Sequence, residues 1–302
     1  MLIDNCLYPR FRDKIYFGFV RGIVDNSFMS VITLLTDFGT KDYFVGAMKG
    51  ALLSVNPKAN VIDITHEIPP QDIRSAAFTL ANYYKNFPRG TIHVCVVDPG
   101  VGSARRAILG ETADYFFIAP DNGLLSFVFD ELERGENTPP LSPELSPRGF
   151  RVFELANEKY FAAAVSRTFH GRDVFAPVAG HLSGGTEPEK FGVEIEDFIR
   201  FETPRPRKLS AGETAAEIIH VDYFGNLVTN LKAEDLPAKF FLEVNETRIE
   251  KHQKFYAEAE KGEIFSILGS AGFLEIVAFQ DSAERLLKAG AHQKILLQRV
   301  NE

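Results

Sequence analysis

Five short stretches carry residue types that can do chemistry. DPGVGSARR (98–106) closes an apolar run and places Asp98 seven residues before Arg105, near enough for the loop to fold back and pair them. Such pairing would keep Asp98 a carboxylate able to accept a proton. The stretch lacks the lysine and Ser/Thr of a phosphate-binding loop and the spacing of a dinucleotide fingerprint. Its glycines would let backbone approach a ligand closely. An Asp-Pro-Gly turn stapled by an arginine explains the same residues without chemistry. FHGRD (169–173) sets His170 beside Gly171, Arg172 and Asp173. A histidine there can orient a carboxylate or move a proton, and Arg172 with Asp173 can equally form a local structural pair.

TDFG (36–39) offers Asp37, which suits a ribose diol or, as plausibly, the cap of the next helix. HVDYFGNLVTN (220–230) groups Asp222, Phe224 and Asn226 around Gly225, and LGSAGFLEIVAF (268–279) places Ser270 and Glu275 near another turn. These residues suit adenine or amino-acid recognition, and turn formation accounts for most of them as well. No HxH or HExxH spacing is present, so no metal site is expected. His66 and His93 read as packed or loop histidines.

The elements that must position these residues alternate. VITLLT (31–36), NVIDIT (60–65), TIHVCVV (91–97) and YFFIAP (115–120) read as strands, with helices over 42–55 and 72–87 between the first three. Asp72 is the expected N-cap of the second helix. The pattern predicts an α/β domain with a mainly parallel sheet over residues 31–204. Residues 131–149 are rich in Pro, Glu and Ser and read as an exposed loop. TPRPRKLSAGE (203–213) marks a linker. Beyond it, short β-branched and aromatic runs separated by Gly and Asn turns predict a smaller antiparallel β-barrel-like domain over 205–302. Residues 1–30 have charge scattered among apolar positions, without a signal-peptide core, and read as a poorly structured extension.

Composition sets outer bounds. Over 302 residues, 45% are hydrophobic, 25% charged, and the formal net charge is −8. That balance is ordinary for a globular protein and argues against nucleic acid or an anionic membrane as partner. No apolar run is long enough to span a bilayer. Two cysteines, Cys6 and Cys95, give no disulfide framework, so a reducing, cytoplasmic setting is expected.

Taken together, VITLLTDFG, GAMKGALLSVNP, VIDITHEIPP, TIHVCVVDPGVGSARRA, APDNGLL, TFHGRDVFAPVAGHLSGG and VDYFGNLVTNL resemble the S-adenosylmethionine hydroxide adenosyltransferases, the adenosine-forming S-adenosylmethionine hydrolases. The resemblance runs in order from about Val31 to the C-terminus. It implies an N-terminal α/β domain, a C-terminal barrel-like domain, and a homotrimer with substrate at the subunit interface. It implies Asp98, Arg105 and His170 as the catalytic set and Asp37 as the acid on the ribose hydroxyls. Asp222 and Asn226, with Phe224 nearby, match residues that hold the methionine portion, and Ser270 and Glu275 fall in the segment lining the adenine end. No cofactor is implied, since S-adenosylmethionine is the substrate and adenosine a product.

The chemistry fits those implied roles. A sulfonium leaves without protonation, so the protein need only place an oxygen nucleophile in line with the C5′–S bond. Attack of hydroxide on a cation neutralises charge and is favoured in a dry site. The related fluorinases and chlorinases resemble the chain too, but carry Tyr where Asp98 stands, Tyr-Ser where His170-Gly171 stand, an aromatic at Gln71, and an additional loop not found in this sequence. A carboxylate at that place would repel a halide. Two alternatives remain at the level of sequence: a halogenase, revealed by 5′-halo-adenosine, and a non-catalytic adenosine or S-adenosylmethionine binder, revealed by tight binding without turnover.

Overall fold

A computed structural model describes residues 30–134 and 149–300. The expected N-terminal extension before Ser30 and most of the expected exposed loop (135–148) lie outside the described residues. The first region is a six-stranded sheet of order β2-β1-β3-β5-β4-β6. Its strands are β1 (Val31–Thr36), β2 (Asn60–Thr65), β3 (Ile92–Val96), β4 (Ala107–Thr112), β5 (Phe116–Pro120) and β6 (Phe150–Glu154). The first four in that order pair in parallel, and β4 then pairs antiparallel with both β5 and β6. The apolar runs of β1 and β3 follow from burial on both faces, as parallel strands covered by helices require.

Helices α1 (Phe44–Val55) and α4 (Ala176–Ser183) cover one face, burying Met48, Leu52, Val178 and Ala179 against Ile32, Leu34 and Val94. Helices α2 (Ile73–Tyr83) and α3 (Ser126–Arg134) cover the other, burying Ala76, Leu80, Val128 and Phe129 against Leu35, Cys95 and Phe117. The Asp72 carboxylate caps α2 by accepting from Ser75 N at 2.9 Å, as its position in the sequence predicts. Helix α1 begins after Tyr43 with no side-chain cap.

The second region is antiparallel. Strands β7 (Arg207–Lys208), β8 (Glu213–Val221), β9 (Leu227–Lys232), β10 (Phe240–Val244), β11 (Thr247–Ile249), β12 (Ile264–Leu268), β13 (Phe273–Ala278) and β14 (Lys294–Arg299) form one sheet, with the short helix α5 (Ala283–Leu287) between β13 and β14. The order is β11-β10-β14-β8-β9-β13-β12, with β7 paired to β8. The edges meet where Ser266 of β12 bonds Lys251 O at 2.9 Å and receives Gln253 N at 3.0 Å, so the sheet nearly closes into a barrel. Ile218, Leu242, Ile276 and Leu297 fill it.

The two regions meet along α2 and β8. Phe78 packs with Ile219, Val228 and Phe273, and its ring stacks on His220 at 4.7 Å. Ser75 Oγ lies 3.3 Å from His220 Nδ1.

Candidate functional site

Asp98 stands just beyond the carboxyl end of β3, where helix N-termini and loops of a parallel sheet converge. The loop after it folds back as its spacing predicts: Arg105 Nε donates to Asp98 Oδ1 at 2.9 Å and its Nη2 to Oδ2. The side chains are 5% and 9% exposed, so this bidentate pair is largely shielded from water. Arg105 Nη2 also lies 3.0 Å from His170 Nδ1. A guanidinium can only donate, so Nδ1 accepts, and the neutral imidazole carries its proton on Nε2. Burial and the Arg105 charge hold His170 below its ordinary range, against an opposing pull from Asp98.

The turn owes its shape to its glycines, though not in the way the sequence suggests. Gly102 has φ +77°, and a Cβ there would sit 2.1 Å from Arg167 O. That glycine admits the protein's own backbone, just before the strap Phe169–Gly171, rather than a ligand. His170 precedes a π turn (Gly171–Phe175) that runs into α4. Arg172 and Asp173 form the local pair, at 2.6 Å, and Asp173 also accepts Ser166 N at 2.8 Å.

Asp37 follows β1 and faces the same end of the sheet. Its carboxylate accepts Gln71 N at 2.8 Å rather than capping α1. Burial raises its pKa, and Asp98 adds to the rise through space, which places the two acids in one electrostatic neighbourhood. Phe38 and Phe169 wall this group, their rings 5.9 Å apart and crossed at 75°. Neither ring is marked by motif spacing, although each flanks a residue singled out for chemistry.

The other expected residues gather on the barrel. Asp222 Oδ1 accepts Phe224 N and Asn226 N, each at 2.9 Å, and Oδ2 accepts Asn226 Nδ2 at 2.8 Å. These bonds build the β8–β9 turn and leave Tyr223 98% and Phe224 72% exposed. Glu275 lies over Gly269, whose Cβ would fall 1.8 Å from its Oε1, while Ser270 stands exposed on the adjoining turn. Burial and the Asp222 charge raise the pKa of Glu275. Tyr256, which no motif singles out, has its pKa raised by burial and by the charges of Glu275 and Asp222. Among the described residues no hydrogen bond or ion pair joins this group to Asp98, Arg105 and His170, and no cluster of three or more metal-ligating side chains is found.

Residues 32–192 match the SAM hydroxide adenosyltransferase N-terminal domain, and residues 216–296 match the C-terminal domain of the same family. The chain belongs to that family. It is similar to the (R)-S-adenosyl-L-methionine hydrolase of Methanocaldococcus jannaschii, with 35% identity over 276 residues, 86% of this chain and 92% of that protein. It is also similar to the fluorinase of Actinoplanes sp., at 28% identity over 68% of this chain and 73% of that one. Among solved structures, an uncharacterized conserved protein from Thermotoga maritima superposes with a TM-score of 0.78 at 33% identity, covering 89% of this chain and all of its own. Within this adenosyltransferase family, then, the chain shares more identity with a hydrolase than with a fluorinase, and over more of its length.

Proposed function

We propose that the protein hydrolyses S-adenosylmethionine to adenosine and L-methionine, by in-line attack of water or hydroxide on C5′ with the sulfonium as leaving group. The observation that carries this reading is the shielded triplet Asp98, Arg105 and His170. Each Asp98 oxygen accepts one bond from Arg105, which leaves lone pairs free to receive a proton from water. Arg105 offsets the charge of the carboxylate, and neutral His170 keeps an N–H on Nε2 to help hold the water. Asp37 takes the ribose hydroxyls in this reading. A carboxylate at the position of Asp98 disfavours a halide nucleophile, because like charges repel most strongly where water is excluded.

Residues 31–204 supply this half of the site and residues 205–302 the other. Asp222 and Asn226 hold the methionine portion, with Phe224 beside them, and Ser270 and Glu275 line the adenine end. A homotrimer that seats one chain's barrel turn against another's Asp98 loop would join the halves. Exposed Tyr223, Phe224, Tyr256 and Leu268 support such an interface, since so much apolar surface beside Asp222 and Glu275 asks for a covering partner. Free, buried Cys95 suits a reducing cytoplasm, and among the described residues no helix is long and apolar enough to cross a membrane.

The test is adenosine release from S-adenosylmethionine, followed by chromatography for the wild type and Asp98→Ala. Loss of about two orders of magnitude or more is expected in the variant, as for removal of a positioned base. Undiminished release would refute the reading, as would 5′-halo-adenosine forming in its place when chloride or fluoride is supplied. Mixing Asp98→Ala with Asp222→Ala protein should restore part of the activity if each site draws on two chains.

A further inference from the structure

His66 is buried just beyond β2, and three of its atoms lie against polar neighbours. Its carbonyl oxygen accepts Gly39 N at 2.7 Å. Its Nδ1 lies 2.8 Å from Thr36 Oγ1, and its Nε2 lies 3.1 Å from Asp63 Oδ1. The second Asp63 oxygen accepts Lys49 Nζ at 2.5 Å.

The proton assignment follows from the charge of Asp63. A bare Nε2 lone pair would be repelled by the carboxylate 3.1 Å away, so Nδ1 is the acceptor, and Thr36 Oγ1, which accepts Phe38 N at 3.2 Å, donates to it. The ring N–H is then on Nε2, facing the Asp63 carboxylate. Lys49, Asp63, His66 and Thr36 form a chain of polar contacts, electrostatic between Asp63 and Nε2 because Nε2 makes no well-aligned hydrogen bond, that ends on the backbone of the TDFG turn.

The β1–β2 ladder does little of this work. Pairing between β1 and β2 slips at this end, from Leu34 opposite Asp63 to Leu35 opposite Thr65. Side chains, together with the backbone bonds Gly39 N to His66 O and Ile68 N to Thr36 O, therefore hold the turn where that register has lapsed. Two site elements hang on that turn. Asp37 is one of its residues, and Phe38 reaches across to the strap of His170. A Cβ on Gly171 would lie 3.0 Å from Phe38 Cζ, and the Phe169 ring meets the Phe38 ring edge-on.

We infer that His66 is a positioning residue that, through Thr36, sets Asp37 against the ribose hydroxyls and seats the strap of His170. The inference rests on the ribose role proposed for Asp37. It assigns His66 a part in hydroxyl recognition, which an apolar side chain of similar size could not play.

The experiment measures calorimetric affinities of the full-length protein for adenosine and for 2′-deoxyadenosine. Wild type, Asp37→Ala, His66→Phe, Thr36→Val and Asp63→Asn are compared, with folding checked by circular dichroism. A hydrogen bond to a carboxylate favours adenosine by about tenfold or more. Asp37→Ala should erase that preference. His66→Phe and Thr36→Val should erase most of it, with little change in the affinity for 2′-deoxyadenosine, and Asp63→Asn should reduce it. A His66→Phe protein that weakens both nucleosides equally has lost only general structure and overturns the inference. Wild-type preference in folded Thr36→Val overturns it as well, and decides the matter if His66→Phe does not fold. Wild-type preference in Asp37→Ala would instead remove the ribose reading itself, and the inference with it.

Discussion

His93 offers the sharpest test of how the first sheet is held together. It is fully buried in β3, ringed by Tyr83, Tyr84, Phe87, Tyr115 and Phe117 at centroid distances of 5.3–6.2 Å. Nδ1 lies 2.8 Å from Thr33 Oγ1, but Nε2 has no hydrogen-bond partner. An imidazolium would need acceptors at both nitrogens, and burial lowers the pKa from 6.5 to about 3. A histidine depressed in the folded state stabilises fully above the unfolded value and loses that contribution as pH falls from about 6.5 toward about 3. Between pH 7.5 and pH 4.5 the loss is about 3 kcal/mol, rising to about 4 kcal/mol at pH 3. Other groups titrate over the same interval, so the measurement is a difference of differences. Urea unfolding of wild type and His93→Phe, followed by circular dichroism at both pH values, isolates the imidazole. Wild type should lose about 2–3 kcal/mol more than the variant on acidification. Parallel pH dependence in the two proteins would show that His93 is already protonated or that water reaches Nε2, and the reasoning would fail.

Two further outcomes test the frame of the site. Gly102→Ala puts a Cβ 2.1 Å from Arg167 O at φ +77°, so the Asp98 loop must leave the strap; adenosine release should fall about tenfold or more, while an unchanged rate would show that the loop and strap move independently. Asp72→Ala removes the cap of α2 and should lower stability by about 1 kcal/mol in urea unfolding, with Asp72→Ser restoring most of it.

Much of the architecture was legible because its signals are local. Apolar runs gave β1 and β3, Asp72 announced its own cap, and the seven-residue spacing of Asp98 and Arg105 anticipated their pair. Strand β4 was not legible. Four of its first residues are buried on successive faces, so Ala107–Gly110 shows no alternation, and it follows the Asp98 loop without a break. With β4 unread, the antiparallel side of the sheet was unread too. Contacts across large separations carry no signature in one sequence. Arg106 pairs with Asp121 and with Asp197, 91 positions away, and Asp37 finds its donor at Gln71. Asp222 and Asn226 could be read as turn formers because they bond each other. The barrel's wrapping, which brings Tyr256 and Glu275 to that turn, could not.

The donor that holds Asp37 is made in an unusual way. Pro69 and Pro70 lead into Gln71, whose φ of +68° is a conformation that side chains other than glycine seldom adopt. The segment spends its conformational freedom during folding, so a ribose arriving there would have little left to freeze. The barrel turn is the opposite case, since its two exposed rings keep their rotamers until something covers them. One wall of the proposed pocket is thus finished with the fold, while the barrel rings would be ordered by whatever covers them. In the trimeric reading proposed above, the ribose end would need little ordering on binding, whereas the adenine and amino-acid ends, both lined by the barrel, would wait on the neighbouring subunit.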